Sequence, residues 1–207
     1  MIKTKHQILY FKKFILFSKK FKKYKPVVFY GTLLGIVREN SIIKNDDDID
    51  LLVNLKFKKN IIKDIKKEKK FSINKKNFYN YFIQIFFKVD NITIFIDLYF
   101  YTNNKNKNYI IDRHNFFGNI NKKNFFLHIP KKYFFPIRRN IRFNDINMPS
   151  KPLVLCEFLY GKDWCIPQKK NASYKMKIIN NKPFIVKKKF FSYLVKNIQI
   201  FIKTLFN

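Results

Sequence analysis

Acidic residues are scarce in this chain: 13 Asp and Glu stand against 44 Lys and Arg over 207 residues, for a formal net charge of +31. Glycine (4), tryptophan (1), cysteine (2) and histidine (3) are also rare. Four glycines and seven prolines exclude collagen-like or linker-type sequence. Cys156 and Cys165 have no His or Cys partner at metal-ligand spacing, so neither a structural zinc site nor a disulfide framework is indicated. His6, His114 and His128 are scattered, which excludes an HExxH site. No apolar run reaches membrane-spanning length without a lysine, and the opening residues lack the unbroken apolar stretch of a secretory signal. A cytoplasmic protein is expected, with a position on a membrane surface as the second reading.

What is abundant is apolar and basic. A hydrophobic fraction of 47% with 26 Phe excludes a wholly disordered chain and gives enough apolar surface for a core. The length suits one domain spanning 1–207, its motif-bearing core at about 27–170. A charge of +31 first suggests a nucleic-acid binder. Only Arg38, Arg113, Arg138, Arg139 and Arg142 are arginines, however, and a reader of base edges relies on the bidentate guanidinium. Lys, Asn, Ile, Phe and Tyr are the residues of A/T-rich codons, so composition bias accounts for much of the charge, and no specific nucleic-acid partner is expected.

Patterning gives an α+β chain. Ile8, Phe11, Phe14, Ile15 and Phe21 recur near helical spacing among lysines, which predicts an amphipathic helix over about 8–24, ended by Pro26 and docked on the core, with a membrane-surface anchor as its other reading. Val27–Tyr30 reads as a short buried strand, Thr32–Arg38 as a helix starting at Gly31, Ile49–Val53 as a second strand and Ile61–Lys70 as a lysine-rich helix. Phe78–Val89 and Asn91–Tyr101 are expected to be neighbouring strands joined at Asp90-Asn91. Residues 102–124 read as loop, 141–148 as containing a short strand, and Leu153–Tyr160 as a helix started by Ser150 and Pro152 and closed by Gly161. A second amphipathic helix is expected over about 184–206.

The few acidic residues are unevenly placed. Asp46, Asp47, Asp48 and Asp50 fill four of five consecutive positions. Adjacent carboxylates raise one another's pKa, so such a run costs stability unless a cation sits among them. Oxygen ligands of this kind suit Mg²⁺ or Mn²⁺. Asp48 and Asp50, two apart on a strand, point to one face, while Asp46 and Asp47 lie in the preceding loop. The other reading is a solvated acidic turn. Asp97 interrupts an apolar strand, where a buried carboxylate needs a partner, and a cation shared with Asp48 and Asp50 supplies one.

A Gly-Thr turn before a helix, two carboxylates at i and i+2 on a strand and a third on a neighbouring strand form the layout of the nucleotidyltransferase fold, a mixed sheet flanked by helices. The letters add specificity. Tyr30-Gly31-Thr32-Leu33-Leu34-Gly35-Ile36-Val37-Arg38 followed by Asn45-Asp46-Asp47-Asp48-Ile49-Asp50 resembles the LicD family, which includes the fukutin and fukutin-related proteins and whose motif reads GTLLGAVR, a spacer and WDDDID. Ile96-Asp97-Leu98-Tyr99, Phe135-Pro136-Ile137-Arg138 and Leu159-Tyr160-Gly161-Lys162-Asp163-Trp164 with Pro167 are similar to later family elements, in family order. The resemblance implies a metal-dependent transferase that moves a phosphorylated alcohol, phosphocholine or ribitol phosphate, from a CDP carrier to a glycan or glycolipid, releasing CMP. It implies Asp48, Asp50 and Asp97 as catalytic metal ligands, with Asp97 helping to deprotonate the acceptor. Gly31, Thr32, Arg38, Asp46 and Asp47 would contact substrate, with Mg²⁺ or Mn²⁺ as cofactor.

The chain departs from the pattern where the family's Ile-Pro-Trp is Ile43-Lys44-Asn45. Tyr160 and Trp164 read as structural, with stacking on the donor as the other reading, Cys156 and Cys165 as plain core or surface residues, and Glu157 as an ordinary helical residue or an extra polar site group. Arg38 has a simple ion pair with Glu39 or the Asp cluster as its other reading. Two functional alternatives stay open: an NTP-using nucleotidyltransferase, and a non-catalytic basic module for nucleic acid or anionic membrane.

Overall fold

In a computed structural model, residues 5–44, 46, 48–89, 92–114, 119–120, 123–124, 126–140, 146–167, 174–179 and 182–187 are described. The chain begins with α1 (Lys5–Lys20) and a 3-10 turn, Lys22–Tyr24, that Lys25 closes in the left-handed conformation before Pro26. Then come β1 (Val27–Val28), α2 (Tyr30–Glu39), β2 (Asp48–Asn54) and α3 (Lys58–Lys67). Strands β3 (Ser72–Tyr79), β4 (Phe82–Val89) and β5 (Ile92–Asn103) follow. They lead to β6 (Tyr109–Asp112), β7 (Asn119–Ile120), β8 (Lys123–Asn124), β9 (Leu127–Pro130) and α4 (Lys131–Phe134). The last elements are β10 (Arg138–Asn140), β11 (Ile146–Met148), α5 (Pro152–Tyr160), β12 (Tyr174–Ile179) and β13 (Lys182–Lys187).

Nine strands form one mixed sheet in the order β10-β11-β1-β2-β5-β4-β3, with β6 and β9 continuing from β5. Its centre is the parallel pair β2–β5, flanked by the antiparallel pairs β1–β2 and β4–β5. Strand β5 is long enough to serve two neighbours along one edge, β4 through Ile92–Tyr99 and β6 through Tyr101–Asn103. Buried residues run without a gap from Ile49 to Val53, as expected of a strand covered on both faces. On one face Tyr99 packs on Tyr30 at the start of α2, and Tyr101 packs on Phe134 of α4. The other face is met by α1 through Phe17, Phe71 and Phe87, whose rings touch in series at 5.5 Å.

The α+β class and the mixed sheet flanked by helices agree with the sequence reading. The first helix is docked as expected, but on a different stripe. Tyr10, Phe14, Phe17 and Phe21 are buried, whereas Ile8 is 40% exposed and Leu16 43% exposed. Several local expectations are corrected. The apolar run from Phe78 is two strands, because the chain turns at Asn80-Tyr81, and β3 extends back to Ser72. The region read as loop holds β6 to β8, with Ile110 buried in β6. Ser150 does not cap α5; its Oγ bonds the carbonyls of Lys132 and Tyr133. Phe184–Lys187 is strand paired with β12, not the start of a helix; positions 188–206 of that expected helix lie outside the described residues. So do the Asp90-Asn91 turn and positions 141–145.

Candidate active site

Three carboxylates meet where β2 and β5 run side by side. Asp50 and Asp97 are register partners across the parallel pair, and Asp48 lies two residues before Asp50 on the same face. Asp48, Asp50 and Asp97 each offer an oxygen within 4.8 Å of the others. Asp50 and Asp97 are 7% and 5% exposed. Burial, then the charges of Asp48, Asp46 and Asp97, push the Asp50 carboxyl well above the usual carboxylate range. Three oxygens gathered this closely at a partly dry site suit a hard divalent cation, whose charge would reverse that shift. The donor set therefore fits Mg²⁺ or Mn²⁺.

The start of α2 fixes this arrangement. Tyr30 has a φ of 40°, in the left-handed region, and its hydroxyl donates to the buried Asp112 carboxylate. The turn aims the Gly31 amide at Oδ2 of Asp50, 2.8 Å away, while the Asp50 amide donates to Thr32 Oγ1 at 2.8 Å. A methyl group at position 31 would stand 3.1 Å from Asp50 Oδ2 and 3.2 Å from Asp46 Oδ2, so glycine leaves room for both carboxylates. Gly35 is required for a different close approach. A Cβ there would lie 2.7 Å from the Ser41 carbonyl and 2.8 Å from the Ile43 amide, in the loop that delivers the aspartates.

The structure thus brings Asp46, Asp48, Asp50, Asp97, Gly31 and Thr32 together. Gly31 and Thr32, expected to hold phosphate, are engaged with Asp50 here. Arg38 is ion-paired with Glu39, its nearer nitrogen 2.5 Å from Oε1. Asp47 lies outside the described residues. Tyr160 ends α5 close enough for the Asp50 and Asp46 charges to add to burial in raising its phenol. Cys156 is buried with its thiol pushed up to about 12, and Cys165 is exposed; both are free.

Gln84 was not foreseen. It pairs with Asp97 across β4–β5 and donates to Asp97 Oδ1 at 2.9 Å, while its own Oε1 accepts from Asn74 and Asn77 at 2.8 Å each. The signal was available: Gln84 is the one amide in Phe82-Ile83-Gln84-Ile85-Phe86-Phe87. Asp112, Arg113 and His114 were also missed, since their region read as loop. Asp112 accepts from the Tyr30 hydroxyl and the His114 amide, and burial raises its carboxyl to about 7. Burial lowers His114 to about 4, so its imidazole is neutral at pH 7; it packs against Phe82 and Tyr99.

A model of the nucleotidyltransferase domain of LicD/FKTN/FKRP matches residues 25–150, a span that contains the Gly31–Thr32 turn and all three carboxylates. The chain belongs to the LicD family. Membership implies phosphotransferase-type function in glycan modification in broad terms, and the acidic triad is the feature that suits the metal dependence general in LicD proteins. No curated protein matches the chain. Among the described residues of this LicD-family chain, no helix is long and apolar enough to cross a membrane.

Proposed function

We propose that this protein transfers a phosphorylated alcohol from a CDP-alcohol to a hydroxyl of a glycan or glycolipid, releasing CMP. The observation that carries the reading is the convergence of Asp48, Asp50 and Asp97 on one face of β2–β5, beside the Gly31–Thr32 turn. Asp48, Asp50 and Asp97 would hold Mg²⁺ or Mn²⁺. The bound ion supplies charge neutralisation for the donor diphosphate.

Asp97 takes the proton of the acceptor hydroxyl as its oxygen bonds to the alcohol-bearing phosphorus; the bond from that phosphorus to the bridging oxygen breaks, and CMP leaves with the electron pair. Gln84, bonded to Oδ1 of Asp97, keeps that carboxylate aimed. Gly31 and Thr32 fix Asp50, while Asp46, beside Gly31, would border the donor and Arg38 balances acidic charge beside Glu39. The lysine excess attracts anionic donors and glycolipids at the cytoplasmic surface of an anionic membrane, without specific nucleic-acid contacts.

Incubation with CDP-choline or CDP-ribitol, Mg²⁺ and an acceptor glycan should yield CMP. Transfer of nucleotide label from an NTP, with no CMP from any CDP-alcohol, would instead identify an NTP-using nucleotidyltransferase.

A further inference from the structure

Arg113 follows β6, and its placement is unusual for a cation in this chain. Its guanidinium carbon sits 4.9 Å from the ring centre of Tyr81 and 4.5 Å from that of Phe126, and one terminal nitrogen is 3.5 Å from the Tyr81 hydroxyl. Its Nε is buried and has no hydrogen-bond partner. Among the described residues no carboxylate lies within ion-pairing range of it. The side chain is therefore held against two rings, with no carboxylate partner among the described residues. Arg113, Phe82, His114 and Asp97 all line a cavity of about 680 Å³, and Asp97 belongs to the triad as well.

The chemistry of that cavity selects among the parts of a donor and an acceptor. A quaternary ammonium would favour its rings but be repelled by Arg113. A neutral sugar would leave the guanidinium without a counter-charge. A nucleoside phosphate satisfies both features, since a guanidinium matches phosphate oxygens in pairs and rings stack on a base. We propose that this cavity receives the nucleoside-phosphate end of the donor, with Arg113 holding the phosphate and the surrounding rings facing the base. The carried alcohol then lies on the other side of the carboxylates. This assignment rests on the CDP-dependent reading above.

The test uses the full chain with CDP as probe and Mg²⁺ present. By calorimetry, Arg113→Gln should weaken CDP binding at least tenfold, Arg113→Lys should recover part of the loss, and the KM for acceptor should not move. In the unmodified protein, phenylglyoxal attack on Arg113, mapped by mass spectrometry, should slow when CDP is added; this arm decides if Arg113→Gln does not fold. Unchanged CDP affinity with a raised acceptor KM would overturn the proposal, as would CDP protection that spares Arg113. If CDP binds through Arg113 but no CDP-alcohol gives CMP, the transferase reading falls and the phosphate assignment stands.

Discussion

The amide of Gly31 donates to Oδ2 of Asp50 at 2.8 Å, joining the first turn of α2 to the carboxylate at the centre of the sheet. Gly31→Ala would place a methyl 3.1 Å from that same oxygen and 3.2 Å from Asp46 Oδ2. Both carboxylates must then shift by a few tenths of an ångström. Mn²⁺ affinity is expected to fall about tenfold, equivalent to about 1.4 kcal/mol. Titration with Mn²⁺ measures this, and an unchanged affinity would show that the carboxylates yield freely.

Asp50 is held against burial and three neighbouring charges, so its replacement separates two effects. Asp50→Asn should reduce CMP release by roughly 100-fold or more, as removal of an electrostatic element of a transition state does. Without added metal its melting temperature should equal or exceed that of the parent protein, because a repulsive charge is gone, while the stabilisation given by Mg²⁺ should vanish. Asp48→Asn should act in the same direction. If the protein is only a basic binding module, both variants keep salt-sensitive binding to polyanions and have no activity to lose.

Asp112 supplies a pH dependence. Its folded pKa of about 7 lies above the unfolded value of 3.8, chiefly through burial. The folded state therefore holds the proton between those values, and stability falls as pH rises through about 7, with a slope of up to about 1.4 kcal/mol per pH unit. In urea unfolding from pH 5 to 8, the stability of the parent minus that of Asp112→Asn should fall as pH rises, a difference that removes the opposite contribution of His114, whose folded pKa of about 4 lies below its unfolded 6.5. A difference that does not change with pH would assign the dependence to another group.

Docking of α1 predicts unequal effects from adjacent positions. Phe17 is fully buried and touches Phe21 and Phe71, so Phe17→Ala should cost about 3–5 kcal/mol. Leu16, on the outer face, should tolerate serine within about 0.5 kcal/mol. Denaturant melts of the two variants test this, and similar losses from both would mean that the outer face of α1 is also covered.

Much of the site was legible because it is written in short-range pattern. Asp48 and Asp50 are two apart, and Gly31 and Thr32 are adjacent, so strand alternation and turn chemistry place them without knowledge of the fold. Asp97 was legible for another reason, as the one charge in an apolar strand. Gln84 carried the same kind of signal, a lone amide in an apolar run, but its partner Asp97 emerges only when β4 pairs with β5, and Asp112 depends on Tyr30, 82 residues away, which no local window contains. The division of Phe78–Val89 was hidden by Asn80-Tyr81, a turn that lacks glycine and proline. Ser150 had the identity of a helix cap, but tertiary bonds to the carbonyls of Lys132 and Tyr133 claim its hydroxyl.

The alignment of Asp50 with Asp97 has a consequence for folding fidelity. Side chains alternate along a strand, so a slip of β5 by one residue against β2 would turn Asp97 to the opposite face and set an isoleucine or leucine beside Asp50. An apolar sheet rich in Ile, Leu and Phe discriminates weakly between such alignments by burial alone. A divalent cation held by this triad would bind only where the three oxygens converge, and so would favour the native pairing over each slipped one. The site would then act as a proofreader of its own sheet: chain refolded with Mg²⁺ should contain fewer misaligned molecules than chain refolded in a chelator.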